Sequence, residues 1–169
     1  MAVTLYQISV PVFTRGLRQL RAILAKADAQ AQQMKVDEAV LLQARLYPNM
    51  FPMVRQVQIA CDFAKGTCSR LAGQEPPVFA DQEASFAELY ARIDKTLAVV
   101  ETLTPAQIDG QEERTVEFKT RQRTFTFKGL PYLLSFSLPN FYFHLTTAYA
   151  ILRHNGIELG KPDFTGPFD

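Results

Sequence analysis

A chain of 169 residues, 47% hydrophobic and 21% charged, has the make-up of an ordinary globular protein, long enough to bury about two-thirds of its unfolded surface. Its net charge of +1 gives no case for nucleic acid, which requires concentrated basic surface. No stretch approaches the ~20 uninterrupted apolar residues of a membrane span, and the opening MAVTLYQISV lacks the basic start and long apolar run of a signal peptide, so a cytoplasmic protein of one domain, residues 1–169, is expected.

The spacing predicts a first helix over 4–30, capped by Thr4 or Ser9, with the stripe Leu5, Ile8, Val12, Gly16, Leu20, Ile23 and Ala27. Pro11 suits a first turn, and Gly16 in mid-stripe suggests that another backbone approaches there. Residues 31–36 read as a polar connection, after which Asp37 is placed to cap a short helix through EAVLLQARL. Pro48 and Pro52 bracket the bend YPNMFP, and a second long helix runs to about Ala72 with the stripe Met53, Val57, Ala60, Ala64, Cys68 and Leu71. Gly73 and Pro76-Pro77 end it. Cys61 and Cys68, the only cysteines, are too far apart along one helix for a disulfide and read as small core residues.

Ser85 and Glu88 form a capping-box pattern, with Asp81 as an alternative cap, ahead of a third helix carrying Phe86, Leu89, Ile93, Leu97 and Val100. Thr104-Pro105 opens one short further turn. The period then changes to two: Val116 and Phe118, then Phe125 and Phe127, alternate with polar residues on either side of TRQR, which predicts a small β-hairpin. Its cations Arg114, Lys119, Arg121, Arg123 and Lys128 stand against Glu112, Glu113 and Glu117 and read as a solvated surface, the alternative being a patch for nucleic acid or an acidic ligand.

The longest apolar-periodic segment is Leu130–Gly156, with Leu134, Leu138, Phe141, Leu145, Ala148 and Leu152 on one face. Phe136, Phe143 and Ala150 project roughly opposite, so both sides need covering, by the same chain or by a second copy. Pro139 marks a kink or a helix restart, and Tyr142 and Tyr149 on the flank read as packing. The tail GIELGKPDFTGPFD is too rich in Gly and Pro for regular structure, with Phe164 and Phe168 expected to pin it down. The sum is an all-α four-helix bundle with a small β-hairpin before the last long helix.

Chemistry-bearing residues are few. Asn140 and His144 are neighbours one turn apart on the edge of the apolar stripe; His144 is readable as a ligand, a general base or a satisfied core histidine, and Asn140 as a cap or a pocket residue. His154 suits the negative end of a helix dipole. Tyr47, Asn49, Arg55 and Gln56 lie where the second long helix begins and form either a pocket mouth or an exposed polar turn. Nucleotide-binding, P-loop, HExxH, paired CxxC and GxSxG signatures are absent.

The runs LYPNMFPMVRQVQIACDFAKG and PNFYFHLTTAYAILRHNGIELGKPDFTG resemble an uncharacterised bacterial family assigned to the DinB/YfiT-like superfamily of putative metalloenzymes, and the resemblance spans essentially the whole chain. It implies an up-down-down-up bundle, commonly a homodimer. Several relatives bind a divalent metal through three histidines, and known activities include thiol-dependent transferases, isomerases and metal-dependent hydrolases. Aligned on Leu152, Arg153 and Gly156, the last-helix His-xxx-His pattern falls on Asn140 and His144. The remaining histidine, early in the second helix, has no counterpart, since His144 and His154 are the only two; Gln56 or Asn49 lies in that region. One imidazole with amide oxygens is a far poorer site for Zn²⁺ or Ni²⁺ than three imidazoles, so loss of the metal is the stronger expectation and a rebuilt site the other.

Two functions follow. One is a thiol-dependent transferase or hydrolase-like enzyme acting on a small molecule, with His144 as metal ligand or base and Asn140, Gln56, Asn49 and Arg55 around the ligand. The other is a non-catalytic dimeric bundle that binds an apolar ligand or a protein partner.

Overall fold

The computed structural model describes residues 2–120 and 122–167. The molecule is mostly helical: α1 (Val10–Met34), α2 (Glu38–Gln43), α3 (Met53–Leu71), α4 (Phe86–Glu101) and α5 (Pro105–Ile108) precede the strands β1 (Thr115–Lys119) and β2 (Thr124–Lys128). A helical turn α6 (Gly129–Pro131), a π-helical segment (Tyr132–Ser137), α7 (Leu138–His154) and α8 (Lys161–Thr165) complete it. Among the described residues no helix is long and apolar enough to cross a membrane.

Helix α1 starts later and ends later than its stripe suggests. Residues 5–9 form hydrogen-bonded turns, and Ser9 donates its hydroxyl to the Leu5 carbonyl (2.7 Å) instead of capping the helix. Pro11 occupies the first helical turn, where its missing N–H costs nothing. At the other end the run AQAQQM contains no breaker, so the predicted connection at 31–36 stays helical to Met34. Lys35, in the left-handed conformation (φ 55°), then closes the helix by donating its N–H to Ala31 and Gln32.

Helix α2 is capped as expected, with the Asp37 carboxylate accepting from Ala39 N. The six stripe residues of α3 are all buried, Cys68 among them, and Cys61 beside the stripe is buried too; both cysteines are free thiols. Burial pushes both thiols upward, Cys61 to about 12, so neither is a ready nucleophile. Ser85 caps α4 by accepting from Glu88 N (3.1 Å), but Glu88 reaches back to Ala84 N, one residue before the cap. Asp81 caps nothing; it pairs with Arg92 and Arg55.

The hairpin is antiparallel, with Val116 opposite Phe127 and Phe118 opposite Phe125. Its aromatic residues close over Phe136, whose ring centroid lies 4.9 Å from Phe118, 5.0 Å from Phe127 and 6.2 Å from Phe125. The face opposite the α7 stripe is therefore covered at Phe136 by the hairpin, while Phe143 stays exposed. Two of the hairpin's lysines pair with acids, Lys119 with Glu117 and Lys128 with Glu113; Arg121 lies outside the described residues.

The long C-terminal helix departs from its predicted face at one end. Pro139 cannot donate and crowds the preceding turn, and the turn before α7 is widened into the π segment. That widening changes the angular phase: Tyr132, Leu133 and Ser137 turn inward and Leu134, the first residue of the expected stripe, is 47% exposed. Phe141, Leu145, Ala148 and Leu152 remain buried as expected. The tail is also more regular than its Gly and Pro content suggests. Pro162 sits in the first turn of α8, Asp163 accepts from Gly160 N (2.7 Å), and Phe164 packs edge-on against Tyr149; Phe168 lies outside the described residues.

Helix α3 packs against both α4 and α7, and α4 packs against α1. One buried apolar cluster runs from Leu5 to Leu159. Gly16 is indeed a point of close approach, though to a side chain and not a backbone: a Cβ there would lie 2.6 Å from the Phe141 ring, which itself sits edge-on against Phe13 at 4.8 Å. Gly16→Ala is expected to destabilise by about 1–3 kcal/mol through overpacking, against a gain of ~1 kcal/mol from helix propensity. Chemical denaturation of Gly16→Ala, Phe141→Leu and the double variant measures this; the double variant should recover most of the loss, and strict additivity would show that the two sites do not touch.

Candidate functional site

His144 and Gln56 reach each other across the contact between α7 and α3. His144 Nδ1 lies 2.7 Å from Gln56 Oε1, and Gln56 Nε2 donates to the Phe51 carbonyl (3.0 Å). An amide oxygen only accepts, so this arrangement requires the hydrogen on Nδ1 and leaves the lone pair on Nε2. Gln56 is 1% exposed and His144 9%. Burial, followed by the positive charge of Arg55, pushes His144 down to about 4. The imidazole is therefore neutral at physiological pH, with its tautomer set by the chain Phe51–Gln56–His144.

Aromatic rings frame the pair. Phe63, on α3, stacks on His144 at 6.1 Å, and Phe143 meets it edge-on at 5.2 Å. A groove of about 460 Å³ has Arg55, Ile59, Phe63, Phe79 and Phe118 in its walls; His144 and Gln56 do not line it themselves, and it meets the imidazole through the stacked Phe63 ring. Its outer wall, residues 75–81, has no regular secondary structure and is fastened through Arg92, whose side chain is 1% exposed. Arg92 bonds Asp62 (3.0 Å), Asp81 (2.9 Å), Glu83 (2.9 Å) and the Ala80 carbonyl (3.0 Å). Lys65 adds a second bond to Asp62 at 2.9 Å.

Of the residues singled out in the sequence, His144 and Gln56 come together, and Arg55 stands close enough to influence His144 electrostatically while pairing with Asp81 and donating to Gln58 (3.0 Å). Asn140 turns its amide back on its own helix, donating to the Phe136 carbonyl at 2.7 Å. Asn49 is exposed in the bend before α3. His154 is exposed in the last turn of α7. Phe63 and Arg92 were not singled out. Phe63 lies seven residues after Gln56, hence on the same helix face. Arg92 interrupts the α4 stripe between Leu89 and Thr96, a charge placed among core positions.

The donor set does not fit a Zn²⁺ or Ni²⁺ centre. It offers one imidazole nitrogen; the Gln56 oxygen already accepts from that imidazole and the Asn140 amide is tied to a carbonyl. Among the described residues no group of three or more His, Cys, Asp or Glu could hold a metal ion. At about 4, His144 is also a weak base at neutral pH. What the pair holds in place is a neutral imidazole with its free lone pair on Nε2, stacked against the Phe63 ring.

Residues 5–165 match the family model described as a domain of unknown function, DUF1993. A DinB family member protein from Shewanella denitrificans, known from a crystal structure, is 41% identical; the match covers 97% of this chain and 93% of that one, with a TM-score of 0.88. No curated protein matches the sequence.

Because the folded protein holds His144 near 4 and the unfolded chain near 6.5, the unfolded state binds the extra proton first as pH falls. Stability that is intact above about 6.5 is lost between there and about 4, at up to ~1.4 kcal/mol per pH unit. His144→Gln removes this contribution. Urea midpoints of wild type and variant should therefore converge, or cross, on acidification across that window; a constant difference would mean that His144 is not held neutral by burial.

Proposed function

We propose that this chain, which belongs to the DUF1993 family, is a DinB-like bundle protein that binds a small molecule without a metal, in the groove beside Gln56 and His144. The reading takes residues 1–169 as one cytoplasmic domain in up-down-down-up order. The observation that carries it is the 2.7 Å bond between His144 Nδ1 and Gln56 Oε1. It joins two polar residues from different helices and fixes an imidazole, with its free lone pair on Nε2, against the Phe63 ring that walls the groove. Thiol-transfer or hydrolytic chemistry by His144 as base is disfavoured by its low proton affinity; recognition of a ligand N–H or O–H is what a neutral, oriented imidazole does well. Asn140 and Arg55 then serve the surroundings: Asn140 steadies the helix around Pro139, and Arg55 adds to the burial that keeps His144 neutral; Asn49 stays an exposed residue of the bend before α3.

The test begins with protein purified without a His-tag or chelator. Substoichiometric metal, and the same thermal response to added Zn²⁺ and Ni²⁺ in wild type and His144→Ala, are expected. Near-stoichiometric metal that disappears in His144→Ala and Asn140→Ala would overturn the metal-free reading. For the ligand, ¹⁵N-labelled imidazole resonances should show the single Nδ1–H form, and fragments that bind the groove should shift Nε2; fragments that perturb Phe63 while leaving Nε2 unmoved would count against His144 as a recognition group.

A second reading, a homodimer, is favoured by a separate observation. Phe143, Leu134 and Tyr142, at 56%, 47% and 42% exposure, leave apolar surface uncovered on the outside of the last long helix. Light scattering at micromolar concentration should then give twice the chain mass for wild type and the monomer mass for Phe143→Glu. A monomeric wild type would leave the dimer without support.

A further inference from the structure

A second cavity, of about 520 Å³, lies between the end of α3, the turn that follows it, and β1. Its walls include Arg70, Gln74, Glu75, Arg114, Glu117 and Lys119; Arg70 and Glu75 also border the groove of Phe63, whereas Arg114, Glu117 and Lys119 belong to this cavity and not to that groove. We propose that this cavity binds a small molecule through an oxyanion, carboxylate or phosphate, held between the guanidinium groups of Arg70 and Arg114.

Both guanidinium groups are fixed in place, and each is fixed over a glycine. Arg70 folds back along its own helix until Nη1 lies 2.7 Å from where a Cβ on Gly66 would stand. There it donates to the Tyr132 hydroxyl (3.3 Å) and covers the Phe118 ring at 5.3 Å. A glycine in mid-helix is unfavourable relative to alanine; here it opens the space that Arg70 fills. Arg114 is held by Nε donating to Gln111 Oε1 (2.9 Å), and its Nη1 lies 2.6 Å from the Cβ position of Gly73, a residue whose φ of +71° favours glycine in any case. Neither arginine has a carboxylate partner among the described residues, in contrast to Arg18, Arg21, Arg55 and Arg92. Rigid, half-buried guanidinium groups with unused N–H donors are suited to bidentate oxyanions.

The countercharges in the same walls are Glu75 and Glu117. Glu117 is engaged by Lys119 at 3.2 Å, and Glu75 is exposed at the rim. Three cations thus face two acids, with Glu75 the competitor that an incoming anion must displace.

Calorimetric titration with inorganic phosphate, pyrophosphate and malonate, at constant ionic strength set with chloride, tests the site. Saturable binding of at least one of them is expected, weakened about 10-fold or more in Arg114→Gln and in Arg70→Gln, the loss typical of a charge-assisted pair. Glu75→Gln should bind several-fold more tightly. Gly66→Ala, which keeps every charge but displaces Arg70, should weaken binding, and His144→Gln should leave it unchanged. Preference for phosphate over malonate marks a phosphorylated ligand, and the reverse a carboxylate. If Arg70→Gln fails to fold, Arg114→Gln and Glu75→Gln decide. No saturable binding beyond the chloride control, or affinities in those two variants equal to wild type, would overturn the proposal.

Discussion

The constraint on which the rest depends is the burial of α3. This helix is packed by α4 on one side and α7 on the other, so its polar residues are enclosed together with its apolar stripe. Gln56, Gln58, Lys65, Thr67 and Ser69 are all buried. Buried polar groups without partners cost on the order of 1–3 kcal/mol each; the two glutamines find theirs on other elements, and Lys65 pairs with Asp62 of the same helix. Gln56 answers to His144 and Phe51, Gln58 to Glu83 and Arg55. The site around His144 is one result of that requirement; the ordering of residues 74–84 is another.

That segment has almost no hydrogen-bonded secondary structure of its own. It is held because Arg92, in the core of α4, cannot remain unpaired once desolvated. Asp62 from α3 and Asp81 and Glu83 from the segment itself gather around it. Such a cluster compensates a buried charge more than it adds net stability, but it specifies where the segment lies. Phe79 is drawn in at the same place, with Lys95 and Lys65 at 4.2 and 4.8 Å from its ring centroid. The groove beside His144 owes its outer wall to this arrangement.

Helices α2, α3 and α4 and the hairpin were legible in the sequence because each declares itself locally, through a period and a cap. Asp37, Ser85 and the alternation of Val116, Phe118, Phe125 and Phe127 are signals within a few residues of one another. Leu134 misled because its direction depends on a turn widened ahead of Pro139, and period counting assumes a constant turn. The tail misled because α8 is secured by remote partners: Asp163 by Lys26, Phe164 by Tyr149. At the site, His144 stood out as one of two histidines, and Gln56 only as one of several polar residues near a helix start. Their bond spans 88 positions, a relation that neither spacing nor period encodes.

The widened turn before α7 has a consequence for how the molecule is wired. Residues eight apart on an uninterrupted α-helix are rotated by about 80°, which would send Phe136 and His144 toward different neighbours. Phe136 lies inside the widened turn and His144 in the regular helix after it, and both rings come within reach of Phe63, at 5.8 and 6.1 Å. A single aromatic side chain therefore belongs at once to the cluster under the hairpin and to the wall of the ligand groove. The hairpin and the imidazole thus meet on one ring, and a change at Phe63 touches both.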